Sequence, residues 1–456
     1  MKLTLQDLKK LSSVEIHNGR AFKQKVTGVS TDSRSVKAGN IFIALRGEKF
    51  DGHHFIEEVL NRGAVAIIVD TRWRKENASL VDNLQKTVAV VSDTTKALGE
   101  LARIYRKKFS IPILAIGGSN GKTTTKEMVG AVLRTTLSVL STEGNLNNHI
   151  GVPQMLFRLE SHHDVAVLEL GTNHFGELDY LCGIAAPTHA LITNIGREHL
   201  EFFGDEKGVA KEETALFRNI ASKGFAFINA DDGHLSRAGK KVKRSLTYGV
   251  KKAADLRARR VRTDGQGCPI FDISFKGKED AVHLSVAGLH NATNALAAAA
   301  VGLNFKVSKK KVIAALEQYH GATKRMEIIR RNNVTILNDT YNANPDSVLA
   351  ALKTLHSMKV EGKKIVVLGD MLELGKNTEH EHAKIGLAVS ELEFEYLLTF
   401  GPLSNFTHEA SKLPFAEHFD TKDALVASLK SQLAPGDAVL VKGSRGMKME
   451  EIVEKI

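Results

Sequence analysis

The sequence predicts an α/β protein of three domains, and three observations lead there. Its 456 residues leave room for about three domains at roughly 100–200 residues each. Short apolar runs alternate with amphipathic stretches along the whole chain, as in mainly parallel sheets with helices on their faces. A glycine turn ending in Lys-Thr-Thr separates one such run from a helix-like stretch.

The elements follow in order. Residues 1–92 alternate the apolar runs Asn40–Leu45, Ala64–Val69 and Thr87–Val91 with one amphipathic stretch, His53–Arg62, and read as a small α/β unit. Thr94–Lys108 reads as a helix capped by Asp93 or Thr94. From Ile111 the pattern is strand, loop and a helix running to Leu137, with buried strands expected at Val165–Leu170, His189–Ile195 and Gly224–Asn229. Short alternating strands fill 245–287, and Ala287–Asn304 reads as an alanine-rich helix. A third alternation starts near Val334, with strands at VTILND, KIVVLGD, EYLLTF and DAVLVKG. Pro345 there stands in a helix's first turn behind a cap at Asn344. The joints fall near 92 and 323, giving domains 1–92, 93–323 and 324–456.

Composition removes several classes. With 43% hydrophobic and 25% charged residues the chain is globular. Two cysteines, Cys182 and Cys268, cannot form a disulfide framework and fit a reducing compartment. The longest small-apolar run, Ala295–Leu303, is far short of the ~20 residues of a membrane span. Asp7, Lys9 and Lys10 stand where a signal peptide needs apolar residues. The net charge of +11 raises the question of nucleic acid, but eleven Lys/Arg against the single acid Asp255 put nearly all of it between Arg237 and Arg262. With no recognition motif beside it, that stretch reads as a solvated basic face on a hairpin region, and no nucleic-acid partner is expected.

Chemistry is concentrated at Gly118-Ser119-Asn120-Gly121-Lys122-Thr123-Thr124. Glycines let backbone N–H groups turn toward phosphate oxygens, and a helix N-terminus adds positive potential. Lys122 can reach the terminal phosphates, and the Thr123 hydroxyl can ligate Mg²⁺. The full phosphate-loop pattern wants a glycine five residues before Gly121; Ile116 is there, so the loop is shortened. Glu169 ends the strand VAVLEL and His199 follows the strand ALITNI, both at the sheet edge where α/β folds bind ligands. Beside a phosphate loop they become candidate Mg²⁺ ligands. The pairs His53-His54 and His162-His163 lack zinc-site spacing and are expected on loops or helix surfaces, and His380-Glu381-His382 lacks it too.

The motifs GGSNGKTTTKEM, GNLNNHIGVP, LELGTNHFGELD and NIGREHLEFFG together resemble the ATP-dependent Mur ligases of peptidoglycan synthesis. GLHNATNALAAAA, TKRMEII, LNDTYNANPDSVLAAL, VLGDMLELG and VLVKGSRGMKMEEIV continue the likeness to the C-terminus, and VSTDSRSVKAGNIFIALRGEKFDGHHF extends it to the N-terminus. The resemblance implies a UDP-sugar-binding N-terminal domain, a central P-loop ATPase domain and a Rossmann-like C-terminal domain. DTYNANP and GDMLELG are similar to the branch that adds D-alanyl-D-alanine to UDP-N-acetylmuramoyl-tripeptide, and no DNPR-type motif of the branch adding the third residue is present. Another amino-acid ligase of the family, a folylpolyglutamate-synthase-like enzyme and, remotely, a basic nucleic-acid binder are the alternatives. A monomeric bacterial cytoplasmic enzyme using ATP and Mg²⁺ is implied.

Site by site, the resemblance implies Lys122, Glu169 and His199 as catalytic residues. It implies Gly118–Thr124, Asn291, Asn294, Arg325 and Asp339 around ATP, the two asparagines on the adenine side. Thr31, Asp32, Ser33, Arg34, Arg46 and Gly47 are implied at the UDP-sugar, with Asn145, Asn147 and Asn148 along its path. Tyr341, Asn342 and Asn344 are expected near the dipeptide or acyl phosphate, with Lys442, Ser444 and Arg445 as looser substrate or interdomain candidates. Two departures stand out: Gly117 occupies a position usually threonine, and Glu213 occupies that of a lysine commonly carbamylated to hold a second metal. Glu213 is therefore expected, with Thr123, Glu169 and His199, at the metals; Lys211 would face about 200° away on a helix.

Overall fold

A computed structural model describes residues 1–48 and 50–456, folded around three sheets. In the five-stranded sheet, Gly28–Ser30, Asn40–Ile43, Ala66–Asp70 and Thr87–Val91 run parallel, and Glu15–His17 pairs antiparallel with the last. The apolar runs Asn40–Ile43 and Thr87–Val91 are buried along their whole length, as expected for strands covered on both faces.

The nine-stranded sheet holds the core of the middle region. Its first strand, Ile113–Gly117, lies between Val165–Glu169 and His189–Ile192, all parallel. The chain leaves it on one side through Val139–Ser141 and Val165–Glu169, then crosses to the other. The end of Ile113–Gly117 is thus the topological switch point, where ligands bind in open α/β sheets. Phe225–Asn229, Ser245–Gly249 and Leu256–Thr263 continue in parallel, and Pro269–Phe275 and Lys278–His283 close the edge antiparallel.

The six-stranded sheet is parallel except for the hairpin Glu327–Arg331/Val334–Asp339. Asn344 caps the helix Pro345–Ser357 by accepting from Ser347 N, with Pro345 at its first position. Asp93 caps Thr94–Arg106 in the same way.

Some expectations shift. The helix from Lys122 ends at Arg134, not Leu137. The alanine-rich helix starts at Asn291 rather than Ala287, because Gly288, at φ +103°, turns the chain into it. His53 is not on a surface: it is buried, its ring tilted against Trp73 at 6.2 Å between centroids, accepting from Asp70 N at 3.0 Å and facing Asp51 at 2.7 Å. Within 237–262, Arg259 and Arg260 are already paired with Glu279 and Asp272. Among the described residues no helix is long and apolar enough to cross a membrane.

Candidate active site

The phosphate loop is held by the neighbouring segment 193–196. Ser119 N donates to the Asn194 carbonyl (2.9 Å), Asn120 N to its side-chain oxygen (3.1 Å), and Gly196 N to Ser119 Oγ (2.9 Å). Gly118 takes φ +112°, and a Cβ there would run into Thr193, so only glycine follows this path. Gly121, at φ +79°, starts the helix Lys122–Arg134 with its N–H groups turned to the loop's concave side.

Lys122 sits in this concavity with Nζ donating to the Gly118 carbonyl and lying 3.3 Å from Glu198. Burial works to lower its pKa, but Glu198, Glu213 and Glu169 outweigh that and raise it, so it stays cationic. Each of these three buried carboxyls has one oxygen without a hydrogen-bond partner. Glu169 accepts from Asn147 Nδ2 at 3.0 Å through the other, and its own N–H is fixed on Thr142 Oγ1. The open oxygens of Glu169 and Glu198, which line the same cavity as the phosphate loop, are the donor set that suits a hard divalent cation. Among the described residues no three acidic, histidine or cysteine side chains converge into a complete cage. A Mg²⁺ here would take phosphate oxygens as its remaining ligands, as such ions usually do.

His199 stands at the start of a short helix with φ +48°. Its Nδ1 meets Glu373 Oε2 at 2.5 Å across the domain boundary, and its Nε2 faces Glu198 at 3.8 Å. Glu213 lies behind the loop, fully buried, with Oε2 accepting from Gly118 N at 2.6 Å. Burial pushes its carboxyl up to about 8, against the pull of Lys122. Lys211 points outward over the Phe175 ring at 5.1 Å, on the other side of the helix.

A cavity of about 780 Å³ opens between the nine-stranded and six-stranded sheets. Ser119–Thr124, Asn147, Asn148, Glu169, His199, Asn291, Asn294, Arg325, Asp339, Tyr341, Asn342 and Asn344 all line it, with Lys442, Ser444 and Arg445. Asn291 and Asn294 brace the loop: Asn294 Nδ2 donates to Asn291 Oδ1 (2.8 Å), its Oδ1 accepts from Thr125, and a Cβ on Gly121 would reach it at 2.7 Å. From the other side, Asn344 Nδ2 donates to Asn120 Oδ1 at 2.9 Å. Lys442 Nζ, buried, bonds Asp339 (2.6 Å) and the Asn342 carbonyl (2.8 Å). The Arg325 guanidinium lies 3.9 Å over the Tyr341 ring, and Arg445 approaches at 5.8 Å.

The expected UDP-sugar residues stand outside this cavity, as does the exposed Asn145. Thr31 Oγ1 accepts from Gln154 of the middle region at 2.7 Å, Asp32 pairs with Arg34, and Arg46 is held by Asp51 and Asp70. Residues the sequence did not single out are Glu198, Glu373 and the pair Arg197–Asp346. Only the run Arg197-Glu198-His199 hinted at the first, by placing charged residues beside a metal candidate.

Comparison with known proteins matches three family descriptions in order. These are "Mur ligase family, catalytic domain" over residues 25–106, "Mur ligase middle domain" over 116–302 and "Mur ligase, glutamate ligase domain" over 324–445. The UDP-N-acetylmuramoyl-tripeptide–D-alanyl-D-alanine ligase of Bacillus subtilis is 33% identical, covering 100% of this chain and 98% of its own. A crystal structure of MurF from Acinetobacter baumannii superimposes with a TM-score of 0.90 at 32% identity, covering 99% and 98% of the two chains. MurF of Thermotoga maritima, solved in complex with ADP, gives a TM-score of 0.84 at 27% identity, covering 94% and 96%.

Proposed function

Since the chain belongs to the Mur ligase family, we propose that it joins D-alanyl-D-alanine to UDP-N-acetylmuramoyl-tripeptide at the expense of ATP. The observation that carries this is the single cavity uniting the phosphate loop with Tyr341, Asn342 and Asn344 of the DTYNANP segment. A nucleotide-linked substrate and ATP place the reaction in the bacterial cytoplasm. The chain divides accordingly into residues 1–92 for the UDP-sugar, 93–323 for ATP and 324–456 for closing over both.

A carboxylate is a poor acylating agent and must first be activated. The terminal carboxylate oxygen of the tripeptide attacks the γ-phosphorus of ATP, ADP leaves, and an acyl phosphate forms. The amine of D-alanyl-D-alanine attacks its carbonyl carbon, giving a tetrahedral intermediate that expels phosphate and leaves the new amide. Lys122 neutralises charge on the transferring phosphoryl group from a site where burial strengthens its field. Thr123, Glu169 and His199 would hold Mg²⁺, which supplies further neutralisation of the phosphate oxygens. Asn291 and Asn294 keep the loop in register, and Asn344 ties it to the C-terminal domain.

Phosphate release with UDP-N-acetylmuramoyl-tripeptides tests the assignment. Turnover should need D-alanyl-D-alanine, and single amino acids, including glutamate, should not replace it. Equal turnover with free glutamate would assign the enzyme to another branch of the family.

A further inference from the structure

The helix Glu206–Glu213 ends in two consecutive buried glutamates that serve different walls of the cavity. Glu213 Oε2 accepts from Gly118 N at 2.6 Å, at the entry to the phosphate loop. Glu212 Oε1 accepts from Leu178 N (2.9 Å) and Thr172 Oγ1 (3.2 Å), and its Oε2 from Gly176 N (2.9 Å). Thr172 and Glu177, in that second segment, line the cavity together with Ser119–Thr124. Neither glutamate lines it.

We propose that Glu212 and Glu213 are positioning residues that fix the phosphate loop and the 172–178 wall at a set spacing, Glu213 acting through the Gly118 amide and not as a metal ligand. The inference rests on the cavity being the ligase site. The local packing supports it. Glu213 Oε2 is committed to a backbone N–H, its open Oε1 belongs to a residue that, unlike Glu169, does not line the cavity, and a Cβ on Gly117 would lie 2.6 Å from Oε2. Glycine at 117 and glutamate at 213 are therefore one device: the carboxyl fills the space a side chain at 117 would take. Adjacent residues in one helix cannot change their separation, so displacing one loop is felt at the helix that carries the other.

The two glutamates differ in what glutamine can replace. Glu213 uses one oxygen, so glutamine can keep the Gly118 contact. Glu212 uses both, so glutamine must lose one, and its NH₂ would face N–H donors.

The experiment measures kcat and KM for each substrate, ADP affinity by calorimetry, Mg²⁺ titrations and amide exchange of segments 116–121 and 172–178. The full-length chain carries Glu213→Ala, Glu213→Gln, Glu212→Gln, Gly117→Ala or Gly117→Ala with Glu213→Ala. Glu213→Ala should raise the ATP KM about tenfold or more, as for loss of a strong buried hydrogen bond, and speed exchange in 116–121. Glu213→Gln should restore most of that loss at an unchanged Mg²⁺ requirement. Glu212→Gln should speed exchange in 172–178 most and, through the shared helix, in 116–121 as well, with a smaller rise in the ATP KM than Glu213→Ala gives. Gly117→Ala should mimic Glu213→Ala, and the double variant should be no worse than either, the mark of residues sharing one contact.

An equal loss in Glu213→Ala and Glu213→Gln, with a raised Mg²⁺ requirement in both, would overturn the proposal in favour of metal ligation. Unchanged exchange and ATP KM in a folded Glu213→Ala would overturn it outright. If that variant does not fold, Gly117→Ala and Glu213→Gln decide on the same readouts. ADP affinity and amide exchange need no second substrate, so they judge the proposal even where the ligase assignment fails.

Discussion

Arg197 grips Asp346 with three donors: its backbone N–H at 2.7 Å, Nε at 3.0 Å and Nη2 at 2.5 Å. Its remaining guanidinium nitrogen reaches the buried Glu381 at 2.7 Å. This fastens the loop after His189–Ile192 to the start of the helix Pro345–Ser357, beside the Asn120–Asn344 bond at the phosphate loop.

Arg197→Ala should therefore loosen closure of the C-terminal domain. Bidentate, half-buried pairs contribute more than exposed ones, and about 1–3 kcal/mol is expected here. With a non-hydrolysable ATP analogue, small-angle scattering should show compaction of the wild type and a larger radius in the variant. Identical profiles would show that this contact does not govern closure.

Lys122→Ala should cost activity far more than stability. A transition-state charge stabiliser is worth ~10²-fold or more in rate. Removing Lys122 also takes the cation away from Glu198 and Glu169 and leaves negative charge facing the phosphates, so the folded variant should bind ATP more weakly as well. Near wild-type turnover in a variant with an unchanged melting temperature would contradict the role given to this lysine.

The local signals in the sequence are those that neighbouring residues can satisfy. A strand, GGSNGK and a helix lie within two dozen residues, and Asn344-Pro345 supplies a cap and a first turn by itself. The strand Glu327–Arg331 has a local signal too: Asn332 and Asn333, both at positive φ, form the two-residue turn that pairs it with Val334–Asp339. Arg197–Asp346 spans 149 positions, and nothing near either residue announces the other. His53 looked like half of a polar pair. Its burial depends on Asp70, seventeen residues away, presenting an N–H to the ring.

Glu450 ties the C-terminal domain's last helix to the cavity rim. Its Oε1 accepts from Lys324 Nζ (2.9 Å) and Arg445 Nη1 (2.7 Å). Burial tends to raise its pKa, but those two cations and a backbone N–H hold it down to about 2, from 4.5. A depressed folded-state pKa contributes stability above 4.5 that is lost as pH falls through about 2. Glu450→Gln should be less stable than wild type at pH 7, and the gap should close between pH 4.5 and 2. Urea midpoints at three pH values check this, and a gap independent of pH would remove the electrostatic explanation.

The last expectation concerns Arg46, a candidate for the diphosphate of the UDP-sugar. It lies between Asp51, 2.5 Å away, and Asp70, 3.0 Å away, and both carboxyls are held below their ordinary range. Two anions around one arginine orient its planar fork, yet they also compete with a phosphate for it. Which effect wins is a matter of exposure. The Arg46 side chain is 37% exposed, open to an approaching phosphate, while Asp70, at 15%, is fixed by its bond from Trp73 N and keeps the fork oriented. Asp70→Asn isolates the charge, because asparagine can still accept from Trp73 N and cap the helix Thr71–Glu76. A partly exposed pair of this kind is worth about 1 kcal/mol, so the KM for the UDP-linked substrate should rise by about fivefold. The kcat and the ATP KM should stay unchanged. A fall in that KM would mean that Asp70 acts as a competitor for Arg46, and the orienting role would belong to Asp51 alone.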